Sequence, residues 1–253
     1  MEQINEILRV DQVAKTFFSS KDSFSAVENI SFSLKSGEFL VILGPGRCGK
    51  SVLLNMIAGI ETPTTGNIYY QGVKKTEPHP DFGMVFQSLS LMSFKTVMEN
   101  VELPLKLRNI EKSERREIAQ HYIDLVHLTG FENSYPHELS GGMKQRVGIA
   151  RAYTINPSIL IMDEPFGQLD AQTRYSMQNE ILRIWKTEKC TVIFVTNNIE
   201  EACYLGDRII LLSDRPAKVK EIYDINLDRP RNMMSEDFLK IRQEISDNTD
   251  LAI

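Results

Sequence analysis

Eight residues, Gly44-Pro45-Gly46-Arg47-Cys48-Gly49-Lys50-Ser51, constrain this chain more than any other stretch. They follow the pattern G-x-x-x-x-G-K-[ST], in which glycines turn the backbone tightly and aim its N–H groups at phosphate oxygens. The flanks fit that pattern. Glu38-Phe39-Leu40-Val41-Ile42-Leu43 has the short apolar run of a buried strand, and Val52 to Ala58 suits a helix packed on a sheet. A helix starting here adds partial positive charge where phosphates would lie. Lys50 is placed to reach the β- and γ-phosphates, and Ser51 to hold Mg²⁺. The strand before and the helix after favour this reading over a glycine turn that binds nothing.

The rest of the chain supplies the sheet for such a loop. Ile30, Phe32 and Leu34 alternate with Ser31, Ser33 and Lys35, the period of a half-buried strand, so residues 6 to 36 read as early β-structure. Asn67 to Tyr70 is strand-like, residues 73 to 81 read as a polar surface connection, and Phe82 to Gln87 as a further buried strand. From about 96 to 153 the pattern is helical. Val97, Val101, Leu105 and Leu107 approximate one apolar face interrupted by Pro104. Residues 113 to 128 predict an amphipathic helix capped by Ser113, with Ile118, Tyr122, Leu125 and Val126 inward. Apolar runs return at 158–163, 191–195 and 208–212, separated by helical stretches at about 172–187 and 198–205. Continuous runs of this kind belong to parallel strands buried on both faces. Beyond Pro216 come a strand-like segment, a break at Pro230 and a closing helix near 235–246.

Charge and cysteine usage narrow the class. A net charge of −5 and a pI near 5.5 lend no support to a nucleic-acid partner. Cys48, Cys190 and Cys203 are scattered and odd in number, which argues against a disulfide framework and suits a reducing cytosol. Met1 to Glu6 lacks the basic and apolar regions of a signal peptide. No stretch approaches the roughly 18 apolar residues of a membrane helix, so a membrane role is expected to come through a partner.

Two further segments carry chemistry. Ile159-Leu160-Ile161-Met162-Asp163-Glu164 is an apolar strand ending in two carboxylates. Asp163 suits Mg²⁺, and Glu164 is placed to polarise an attacking water as general base. Leu139-Ser140-Gly141-Gly142-Met143-Lys144-Gln145-Arg146 is a glycine turn entering a helix, a second phosphate-binding edge.

Together these segments resemble ABC transporter ATPases from about residue 7 to at least 213. The resemblance implies an α/β fold: a phosphate-loop (RecA-like) core with an N-terminal antiparallel β-subdomain and an inserted α-helical subdomain. It implies one domain over 1–253, with the core at about 1–87 and 156–215, the helical insertion at about 88–155 and a C-terminal extension at about 216–253. ATP and Mg²⁺ are the implied ligands. ATP would be bound by Gly44, Pro45, Gly46, Arg47, Cys48, Gly49, Lys50, Ser51 and Val52, and Mg²⁺ by Ser51, Gln87 and Asp163. Gln87 matches the family glutamine that contacts Mg²⁺ or the attacking water. Phe17 stands where the family stacks an aromatic on adenine, with Phe18 the competing choice. In the family two such subunits face head to tail, so Ser140, Gly141 and Gly142 would serve the partner's nucleotide, and Asp170, in the Leu169-Asp170 loop, would meet the opposite subunit.

The chain departs from that family's pattern in two places. Asn197, in Val195-Thr196-Asn197-Asn198, replaces the usual histidine. Asparagine still donates a hydrogen bond but does not become cationic, so slowed rather than abolished hydrolysis is expected. Gly46 and Arg47 stand for the usual Ser-Gly, and Val52 for Thr. Arg47 either adds charge near the phosphates or points to solvent; Val52 lacks a hydroxyl worth about 0.5–1.5 kcal/mol.

Asp163 to Arg174, with Asp214-Arg215-Pro216 and Leu227-Asp228-Arg229-Pro230-Arg231, most resembles the ATPase subunits of importers for nitrate, sulfonates, taurine and bicarbonate. The partners so implied are a second ATPase subunit, identical or related, a membrane permease, and indirectly a substrate-binding protein, at the cytoplasmic face of the membrane. Leu89, Leu91, Met92 and Phe94 form the stretch expected to meet the permease. A nucleotide-gated subunit with weak hydrolysis is the second functional class, and an exporter motor remains within the first.

Overall fold

The computed structural model describes residues 6–19 and 22–249. In chain order its elements are β1 (Glu6–Phe18), β2 (Ser23–Lys35), β3 (Phe39–Leu43), α1 (Lys50–Ala58), β4 (Thr65–Tyr70), β5 (Val73–Lys74), β6 (Phe82–Val85), α2 (Val97–Val101), α3 (Leu103–Leu107) and α4 (Lys112–Leu125). There follow α5 (Gly141–Tyr153), β7 (Ile159–Asp163), α6 (Ala171–Glu188), β8 (Thr191–Thr196), α7 (Ile199–Leu205), β9 (Arg208–Leu212), β10 (Val219–Asp224) and α8 (Glu236–Asn248). The described residues of Met1–His79 and Thr191–Ile253 form one compact unit, and Pro80–Cys190 a second.

The first unit contains two kinds of sheet. An antiparallel one runs in the order β2-β1-β4-β5. In β2, Ile30, Phe32 and Leu34 are buried while Ser31 and Lys35 are exposed, as the alternation predicts. The other places β3 between β8 and β9 in parallel register, with β10 antiparallel on the outside of β9. Every residue of β3 and β8 is buried, which explains their unbroken apolar sequences. α1 follows β3, and α7 connects β8 to β9. The polar connection expected at 73–81 contains a short strand, β5, whose Val73 and Lys74 pair with β4.

The second unit pairs β6 and β7 in parallel and packs α5 against β6. β6 and α5 approach so closely that a Cβ on Gly83 would stand 2.8 Å from the Ala152 carbonyl oxygen. Three helical expectations are corrected. The face expected around Pro104 is two short helices, α2 and α3, with Pro104 tolerated in the first turn of α3. Leu107 is 75% exposed, because the break at Glu102 takes it off the buried side. α4 starts at Lys112 with Glu111 as its cap, since Glu111 takes the extended backbone and its carboxylate accepts the Lys112 N–H; Ser113 lies within the helix. The buried positions of that segment are Ala119, Tyr122, Ile123 and Val126, with Ile118 and Leu125 only half-buried.

Candidate functional site

The loop between β3 and α1 is set by local backbone. Gly49 has φ +130°, and a Cβ there would lie 2.5 Å from the Ala26 carbonyl oxygen, so glycine is required on both counts. Arg47 has φ +65°, the left-handed region that a glycine fills without strain. Lys50 is only 4% exposed, and its ammonium donates to the Gly44 and Pro45 carbonyls at 2.9 and 2.7 Å. Gly49, at the N-cap of α1, makes no side-chain cap, and the first turn carries no acidic residue. A helix start without a side-chain cap carries partial positive charge, the electrostatic setting that suits a phosphate. The Cys48 thiol is buried, and desolvation pushes its pKa up; it is a packing residue rather than a nucleophile.

Other predicted residues lie on the same unit. Phe17 and Phe18 sit at the end of β1, both exposed, with the Lys15 ammonium 5.1 Å from the Phe17 ring centroid. Asn197 is exposed between β8 and α7. Its neighbours are tied down: the Asn198 N–H donates to Thr196 Oγ1 at 3.0 Å, Thr196 Oγ1 donates to Glu201 Oε2 at 2.6 Å, and the Glu201 N–H donates to Asn198 Oδ1 at 3.0 Å.

The second unit gathers the carboxylates and the second glycine turn. Asp163 ends β7, half-buried, and Glu164 follows with φ +42°. A non-glycine residue there costs about 1–2 kcal/mol, a strain found at working sites. Gln87 Nε2 lies 3.4 Å from Glu164 Oε2, so two residues predicted for one chemistry are brought together. Ser140 caps α5 by accepting the Met143 N–H at 3.3 Å. Asp170 caps α6, accepting from the Thr173 N–H at 2.9 Å and Oγ1 at 2.7 Å, bonds that hold its carboxyl pKa low. A Cβ on Gly142 would approach Thr173 Cγ2 to 2.9 Å, and one on Gly141 Leu169 Cδ2 to 3.6 Å. The Ser140 turn and the Leu169-Asp170 loop thus pack on each other within one chain.

Several supporting residues escaped the sequence reading. Asn100 is buried; its Oδ1 accepts the Met92 N–H, and its Nδ2 donates to the carbonyls of Met92, Lys95 and Thr96 at 2.9–3.2 Å. The only available signal was a polar residue at inward helical spacing between Val97 and Val101. Arg151 holds the Leu89 and Ser90 carbonyls, and Arg174 those of Phe166 and Leu169. Nothing in the sequence says which carbonyls an arginine will reach.

Comparisons with known proteins give the family. A family model described as "ABC transporter" matches residues 27–167. An ABC transporter ATP-binding protein of Methanocaldococcus jannaschii is 47% identical, covering 94% of this chain and 89% of that protein. The nitrate import ATP-binding protein of Synechococcus elongatus is 42% identical over 88% of this chain and 83% of its own. The aliphatic sulfonates import ATP-binding protein of Bacillus anthracis is 40% identical over 93% of each. A solved dimeric ATP-binding cassette, in a post-hydrolysis state with ADP and Pi, superposes with a TM-score of 0.76 at 32% identity, covering 87% of this chain and 100% of that one.

Proposed function

The chain belongs to the ABC transporter ATP-binding family, whose members hydrolyse ATP, and from that premise we propose that it energises the import of a small anion, such as nitrate, a sulfonate or bicarbonate. The observation that carries the ATP chemistry is the loop between β3 and α1, where a helix N-terminus with no side-chain cap and no acidic residue in its first turn lies beside a buried ammonium. Import is supported by relatives named for nitrate and sulfonate uptake.

On the first unit, the loop amides and Lys50 take the phosphates, Ser51 supplies an oxygen for Mg²⁺, Phe17 stacks on adenine, and Asn197 donates a hydrogen bond to the γ-phosphate. On the second unit, Asp163 and Gln87 are the residues that would hold Mg²⁺, which when bound neutralises charge on the β- and γ-phosphates. Glu164 accepts the proton of the attacking water. Ser140, Gly141, Gly142 and Asp170 face a second ATPase subunit, and Phe94 a membrane permease at the cytoplasmic face. No helix of the described residues is long and apolar enough to cross a membrane, so the lipid contact is assigned to that partner.

Glu164→Gln tests the reading. Phosphate release should fall by about 100-fold or more, the usual weight of a general base, while Mg-ATP binding is retained. A variant with unchanged turnover would mark the chain as a nucleotide-gated subunit rather than a motor.

A further inference from the structure

Asn197 is held in an unusual way. Its side chain makes no hydrogen bond among the described residues, so its place follows from its neighbours: Thr196, Asn198 and Glu201, which bond one another, between the end of β8 and α7. β8 is buried along its whole length beside β3. α7 has only seven residues, about 10 Å of helix, so a shift at one end reaches the other.

The far end of α7 is gripped by one buried side chain. Arg231 is 5% exposed, and its Nη1 donates to the carbonyls of Cys203, Tyr204 and Gly206 at 2.7, 3.1 and 2.6 Å. Nη2 donates to the Ile225 carbonyl and Nε to that of Leu227, each at 3.2 Å. All these acceptors are main-chain oxygens. Carbonyls at a helix C-terminus lack intrahelical partners and carry partial negative charge, which a guanidinium satisfies. Two residues earlier, Arg229 donates to Asp207 Oδ1 and to the Leu205 carbonyl. The other Asp207 oxygen accepts the Phe39 N–H at 2.8 Å, and the Asp207 N–H donates to the Phe39 carbonyl at 2.8 Å. Phe39 opens β3, the strand that leads into the loop at Gly44. The tail thus fixes the turn after α7 to the base of that strand.

We propose that Arg231, supported by Arg229, is a positioning residue for Asn197: it anchors the C-terminus of α7 to the chain's tail and thereby sets where the Asn197 amide stands during hydrolysis. The inference rests on the role given to Asn197 above. A residue acting in this way changes turnover through Asn197 and leaves nucleotide binding by the Lys50 loop alone.

The test uses the whole 253-residue chain, with Mg-ATP hydrolysis, Mg-ATP binding and thermal melting measured on wild type, R231K, N197A and the double variant. Lysine keeps the charge but cannot span five carbonyls. R231K should lower kcat about tenfold with KM for ATP little changed, and R231K with N197A should be no slower than N197A alone. Multiplying losses in the double variant, a matching loss of nucleotide affinity, or wild-type kcat in folded R231K would overturn the proposal. Should R231K fail to melt cooperatively, R229K at the half-exposed pair with Asp207 decides: a smaller kcat loss, again absent in the N197A background, supports the proposal, and wild-type kcat overturns it. N197A with unchanged turnover would remove the role of Asn197, and with it this proposal, while leaving the ATPase reading intact. A wild-type turnover that Lys50→Ala leaves unchanged would instead sink the ATPase reading itself.

Discussion

Two loops, one after the fully buried β3 and one after the half-buried β6, are built on opposite plans. The loop after β3 is closed by its own residues: Lys50 bonds the carbonyls of Gly44 and Pro45, and the Cys48 N–H donates to the Pro45 carbonyl at 3.4 Å. The loop after β6 is held from outside, by Asn100 in α2 and by Arg151 in α5. The first presents backbone N–H groups; the second presents side chains, with Phe94 73% exposed at its tip. A site made of main chain tolerates drift in its side chains, which is how the proposed phosphate loop accommodates Gly46-Arg47 and Val52. A site made of exposed side chains takes its specificity from them, as a docking surface must.

The sharpest way to break this contrast is to remove the buried side chain that closes the first loop. Lys50→Ala should weaken Mg-ATP binding by about 10- to 150-fold, the weight of a charge-assisted contact of about 1.5–3 kcal/mol, as read by titration of the purified chain. Retained affinity would mean that the backbone alone suffices. Asn100→Ala should act on the other loop only. It leaves a buried N–H and several carbonyls without their partner, a loss of about 2–3 kcal/mol, and should lower the melting temperature by roughly 5–10 °C with nucleotide affinity unchanged. Phe94→Glu should leave both melting and nucleotide binding alone but detach the permease, measured by co-purification; a complex that survives would move the docking surface elsewhere.

The same contrast explains what was legible in the sequence. Residues 44–51 were readable because most of their determinants are close in sequence: glycines for the turns, a strand just before and a helix just after. The β3, β7, β8 and β9 runs were readable because burial on both faces confines polar residues to the strand ends: Asp163, Thr191, Thr196 and Arg208. Asp163, Glu164 and Gln87 were legible as residue types, but not the 3.4 Å approach of Gln87 to Glu164, which joins positions 77 apart. Likewise, Arg231 sits in a Pro-flanked stretch that reads as a helix breaker, while its partners lie up to 28 residues away. The start of α4 was misplaced because Ser113 is a better cap by type, whereas Glu111 has the extended backbone that a cap needs. Local chemistry is written in order along a chain; long-range hydrogen bonds are not.

The finest test of the contrast lies within the first loop. Arg47 takes φ +65°, where a Cβ costs about 1–2 kcal/mol that glycine does not incur. Part of that gain returns as the greater freedom of glycine in the unfolded chain, so Arg47→Gly should stabilise by about 0.5–1 kcal/mol, roughly 2–3 °C in melting temperature for a chain of this size. Nucleotide affinity then separates the two roles open to the guanidinium. If it points to solvent, the variant binds Mg-ATP as wild type does at every salt concentration. If it lies near the phosphates, affinity falls by a few-fold at low salt and the difference shrinks as salt screens the charge. A large affinity loss at all salt concentrations would break the contrast itself, because the loop would then depend on a side chain other than Lys50.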